Sequence, residues 1–86
     1  MTTFTGRITK IPRRVKTQTG KVMAVATIQV ETDKRTSYPL RVIGFDLQAL
    51  ELMLCQFGQR ITITGVTGFY ESYQVILNKI EFKASG

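Results

Sequence analysis

Eighty-six residues, 43% of them hydrophobic, can enclose one compact core and no second one, because a chain this short buries proportionally little of its surface. Twelve Lys and Arg against six Asp and Glu leave a formal charge of +6, which favours a polyanionic partner, nucleic acid ahead of an anionic membrane surface, unless the surplus serves only solubility. With no His, one Cys, no acidic pair and no metal-ligand spacing, the composition gives no basis for catalysis, a metal, a cofactor or a disulfide.

The opening Met1-Thr2-Thr3-Phe4-Thr5-Gly6 lacks the basic-then-apolar order of a signal peptide, and no apolar run reaches spanning length. A cytoplasmic protein of one domain, residues 1–86, without a membrane segment is expected. Phe4 to Lys16, rich in Thr, Ile, Val and basic residues, reads as one long bent strand with Pro12 at an edge or bulge. Thr17-Gln18-Thr19-Gly20 is turn chemistry, and Lys21 to Glu31 returns as the second strand of a hairpin. There Val22, Ala24, Ala26, Ile28 and Val30 share the core face, while Lys21, Met23, Val25, Thr27 and Gln29 share the accessible one.

Beyond the polar connector Thr32-Asp33-Lys34-Arg35-Thr36-Ser37, Tyr38 to Ile43 forms a third strand, with Arg41 turned to solvent or ligand. Gly44-Phe45-Asp46 breaks it. Asp46 is positioned to cap a helix running to about Gln56, with Leu47, Leu50, Met53 and Leu54 at helical spacing and Cys55 near the core. Phe57-Gly58-Gln59 ends that helix, and Phe57 is assigned to the core with Phe4 and Phe82. Arg60 to Val66 alternates Ile61, Ile63 and Gly65 against Arg60, Thr62 and Thr64. Gln74 to Phe82 is the last strand, apolar on two faces, Val75 and Leu77 on one and Ile76, Ile80 and Phe82 on the other. That two-sidedness suggests a homodimer or homotetramer.

An all-β chain of five strands with one helix between strands 3 and 4 has the element order of the OB-fold barrel, although pattern alone also admits an SH3-like barrel. Four stretches, in this order, resemble the bacterial single-stranded DNA-binding protein family: Thr5-Gly6-Arg7-Ile8-Thr9-Lys10, Thr19 to Ile28, Arg41-Val42-Ile43-Gly44-Phe45, and Gln56 to Gly65. The resemblance spans nearly the whole chain. It implies an OB barrel that binds single-stranded DNA without strong sequence preference, in replication, recombination or repair. Several features depart from that family: there is no Trp, the connectors after strands two and four are short, and the acidic partner-recruiting tail is absent. Tail-dependent recruitment is therefore not carried over, and the chain is also similar to the related primosomal replication protein class, dimers of bare OB barrels.

Single-strand binding needs cations for the phosphates and flat rings for the bases. Arg7, Lys10, Arg13, Arg14, Lys16 and Lys21 crowd the first hairpin, Lys34 and Arg35 sit in the connector, and Arg41 adds a charge on strand three. Phe69, Tyr70 and Tyr73 surround the expected tip of the last hairpin as a stacking platform. Tyr38 falls near a stacking aromatic of the resembled family, yet alternation with Leu40 turns it inward; Phe45 is expected in the core or against the helix end. Two further readings stay open: RNA binding, since the same platform accepts either sugar, and an adaptor for replication or primosome proteins.

Overall fold

β-Branched residues dominate the paired segments, and their alternation decides which side of each strand turns inward. A computed structural model describes residues 1–34, 36–70 and 72–82. Its strands are β1 (Thr2–Lys16), β2 (Val22–Val30), β3 (Tyr38–Phe45), β4 (Arg60–Tyr70) and β5 (Ser72–Phe82), with one helix, α1 (Leu47–Met53), between β3 and β4. They close in the order β1-β2-β3-β5-β4, with β1 also pairing β4 and only the β3–β5 pair parallel. This is the OB barrel, and the SH3-like alternative falls away.

The bend expected in β1 is built from two register shifts against β2, between Ile8 and Lys10 and between Lys10 and Arg13. Each inserts one extra residue, and Pro12 lies inside the second, where a missing N–H need not break the ladder. From Thr2 to Arg7 the strand pairs with β4; beyond Arg7 it has β2 on one side and no described strand on the other. The β2 alternation holds: Ala24, Ala26, Ile28 and Val30 are buried with Ile8, Leu40, Val42, Ile61, Ile63, Val75 and Leu77, and Val22, Phe4 and Tyr38 pack against that core half-buried. Phe45 is half-buried as well.

Three expectations are corrected at the helix. α1 buries Ala49 and Leu52, followed by Cys55, whereas Leu47, Leu50 and Leu54 are 64%, 57% and 72% exposed and Met53 is exposed too. The small residue is what allows the approach: the helix backbone at Gln48 and Ala49 lies so close to Gly44 that a Cβ there would sit 2.9–3.0 Å from it. Phe57, assigned to the core, is 72% exposed, because the turn bearing it is held by backbone bonds from Gly58 N to Ile8 O and from Ile8 N to Gln59 O, at 2.8 and 2.9 Å. Asp46 does precede the helix, but its φ of 51° keeps its carboxylate from capping, and its own N–H donates to Val22 O at 2.8 Å. Burial pushes the Cys55 thiol up to about 11.

In β5 the expected two faces are also revised. A register shift between Thr64 and Gly65 leaves Asn78 as an extra residue, so Ile80 joins Val75 and Leu77 inside rather than Ile76 outside. Ile76 alone of the described apolar set stays 41% exposed; the Phe82 side chain lies outside the described residues. No helix among the described residues is long and apolar enough to cross a membrane.

Candidate nucleic-acid interface

Cross-strand partners share a face of the sheet, so the register assigns each cation a side. On the outer face, Lys10 pairs with Thr27, Thr27 with Arg41, Arg41 with Gln74, and Gln74 with Gly68, a polar row crossing all five strands. Its neighbour runs from Arg13 through Val25, Ile43 and Ile76 to Val66 and is apolar after its first member. Arg7 begins a third row with Gln29 and Pro39. Arg7, Lys10, Arg13 and Arg41 thus come to one surface, and all four are exposed.

They are not equivalent. Arg7 lies 3.7 Å from Glu31 and donates to Gly58 O at 3.1 Å, while Arg60 holds the same Glu31 at 2.9 Å. The carboxylate between two guanidiniums ties the end of β2 to β1 and β4, and it spends part of the Arg7 charge. Lys10, Arg13 and Arg41 form no ion pair among the described residues. Neither do Arg14, Lys16, Lys21 and Lys34, since the remaining pair joins Lys79 to Glu81.

Arg14 and Lys16 fall on the other side of the first hairpin, opposite Ala24 and Val22, whose side chains belong to the inward set. Both are nevertheless exposed, and with Lys21 they line a shallow groove along Val15, Thr17, Gly20 and Val22. The turn below them is fixed by the Gly20 φ of 79°, by Gly20 N donating to Thr17 O at 3.3 Å, and by the Thr17 hydroxyl donating to Lys21 O at 2.9 Å. Lys34 is exposed in the connector; Arg35 lies outside the described residues.

The ring platform stands at the other hairpin. β4 and β5 stay paired beyond the expected strand limits, to Phe69 against Tyr73 and Tyr70 against Ser72. The Phe69 and Tyr73 rings meet edge to face with centroids 5.3 Å apart and are 69% and 66% exposed. They continue the inward phase of Thr67 and Val75 past the barrel rim, so they project from the opposite side of the ribbon to Gln74 and Arg41. The register sets Tyr73 one residue from Gln74 of the Lys10–Arg41 row and on the opposite face from it. The Tyr70 side chain lies outside the described residues. Tyr38, opposite the buried Val30, is turned inward and packs on the core, which withdraws most of its ring from any ligand.

Thr27 and Gln74, which complete the polar row, escape sequence reasoning because only the register reveals that they flank Arg41. Among the described residues no group of three or more His, Cys, Asp or Glu could hold a metal.

No protein-family model matches the chain, and no curated relative does. Solved structures do. The SSB domain of a Synechococcus protein superposes with a TM-score of 0.84 at 15% identity, over 92% of this chain and 90% of that one. Wild-type single-stranded DNA binding protein from Thermus aquaticus gives 0.85 at 16% identity, over 98% of this chain, which spans 40% of the Thermus chain. The dimeric N-terminal domain of PriB from Thermoanaerobacter tencongensis gives 0.79 at 17% identity, over 98% and 96%. At such identities the likeness is one of fold: the structural neighbours of this barrel are bacterial SSB and PriB proteins.

Proposed function

We propose that this protein binds single-stranded DNA without strong sequence preference, in replication, recombination or repair, and acts by binding rather than by catalysis. The observation that carries the reading is the outer face of β1, β2 and β3, where Lys10, Arg13 and Arg41 stand exposed without an acidic partner among the described residues. Three such cations on a sheet face suit a flexible phosphate backbone, and the Phe69–Tyr73 pair beyond the rim suits bases that have left it. Neither group reads a base edge, hence the indifference to sequence. The exposed Ile76 and Val66 support a homodimer or homotetramer in the cytoplasm, with the two-fold dimer favoured as the commonest closed assembly.

Fluorescence anisotropy with labelled poly-dT, a duplex and an RNA of equal length, over several salt concentrations, tests this. Poly-dT should bind well ahead of duplex, with log K falling against log salt by about 0.7 per neutralised phosphate, so about 2 for three contacts. Equal binding of RNA would widen the substrate to single strands of either sugar. Absence of binding to every oligomer at low salt would sink the reading.

One observation favours a second reading, an adaptor for replication or primosome proteins: Leu47, Leu50, Leu54 and Phe57 leave an apolar surface along α1 and the turn after it. If no oligomer binds, that surface becomes the leading site.

A further inference from the structure

The charge of this chain is not spread over it. Residues 1–30 hold six Lys and Arg and no Asp or Glu, while the other six Lys and Arg are matched by all six acids, so the net +6 belongs to β1, the first turn and β2. Strand alternation then divides it, since successive side chains point to opposite faces. Lys10 and Arg13 lie on the outer face with Thr27 and Val25; Arg14 and Lys16 lie on the reverse with Ala24 and Val22. In a barrel wall the reverse face would be core. Here it is exposed at these positions, because β1 beyond Arg7 has no described strand on its far side and the turn runs past the last β2–β3 pair, Met23 with Phe45.

From this we infer that the first hairpin holds two single strands at once, one on each face, and so brings complementary strands together to anneal. The inference rests on the single-strand reading above and extends it to an activity. A phosphate backbone on the outer face meets Lys10, Arg13 and Arg41. It leaves Arg14 and Lys16 on the far side of the ribbon, neither of them in an ion pair among the described residues. A second backbone laid there is separated from the first by one sheet layer and the cationic side chains on either side of it, more than the screening length of roughly 8 Å at physiological salt. With cations on both sides of that layer, the mutual repulsion that slows annealing of two polyanions is offset, and their local concentration rises.

The test uses the whole chain and poly-dT. Immobilised poly-dT is loaded with protein, capture of a second, dye-labelled poly-dT is measured, and annealing of two complementary strands of mixed sequence is followed in parallel. First-strand affinity is measured separately by anisotropy. The wild type should capture the second strand and speed annealing about tenfold, with both effects lost as salt rises. R14A/K16A should bind the first strand within about threefold of wild type and lose second-strand capture and annealing, whereas K10A/R13A/R41A should lose first-strand affinity by about tenfold or more. Circular dichroism confirms that each variant folds.

Wild-type protein that binds one strand but captures no second overturns the inference and leaves the single-strand reading intact. Capture that survives R14A/K16A also overturns it, since two copies of the chain would then be joining strands by their outer faces. A parallel fall of first-strand affinity and capture in that variant overturns it too, because both faces would then serve one wrapped strand. Wild type that binds no strand removes both readings together.

Discussion

Between Ile8 and Val30 the first hairpin carries five cations, no acid and no aromatic ring; between Val66 and Leu77 the last hairpin carries three aromatic rings and no Lys or Arg. Both are antiparallel ribbons that outrun the barrel, and the shared core holds them together. Their difference separates two kinds of attraction. Charge on the first acts over a Debye length, tolerates loose geometry and weakens with salt, while rings on the last act only in contact and are indifferent to salt. A ligand drawn in by one and seated by the other would show two independent terms in its affinity.

The largest expected effect would erase the comparison. Leu52 is fully buried beneath the barrel, and Leu52→Ala should lower stability by about 2–5 kcal/mol in urea denaturation, loosening both hairpins together. Leu54→Ala, on the exposed stripe, should change it by less than about 0.5 kcal/mol. Next, K10E/R13E/R41E should weaken poly-dT binding about a hundredfold at low salt and flatten the salt slope by about 2, with unchanged circular dichroism. F69A/Y73A should weaken it about tenfold at every salt concentration and leave the slope alone; a changed slope would merge the two hairpins into one electrostatic site.

The smallest effect touches neither hairpin. Because the Cys55 thiol is pushed up to about 11 from 9.0, the folded protein retains its proton longer than the unfolded chain does. The stability that this contributes is complete below pH 9 and lost as pH rises through about 11, at roughly 1 kcal/mol per pH unit in between. Cys55→Ala should remove that part of the alkaline decline in denaturation curves while leaving poly-dT binding at neutral pH unchanged.

How far the sequence could be read follows from where one pattern had a single solution. β2 alternates cleanly, Pro12 can only sit at an irregularity, and the helix falls between two strands, so the barrel and its main core face were legible. The helix itself admits two stripes, Leu47-Leu50-Leu54 and Ala49-Leu52-Cys55, each at helical spacing. The larger residues suggested the wrong one, because the choice is made by the close approach over Gly44. Ile80 was misplaced by the extra residue at Asn78, which leaves no mark in composition. For the site, the cations on β1 and Arg41 were legible as residues but not as two faces. The side taken by each depends on the two register shifts in β1, and alternation counted straight from Arg7 would set Lys10 and Arg13 on opposite faces.

Cys55 gives the molecule a clock of its own. The thiol is 5% exposed, lies just past the helix that plugs the barrel, and is the chain's one cysteine, so a thiol reagent added to the native protein has a single address. A reagent concentrated enough to outpace reclosing modifies it at the frequency with which the segment after α1 lifts away. Counting labelled molecules against time therefore reads how often the barrel uncovers its own base, with or without a strand bound.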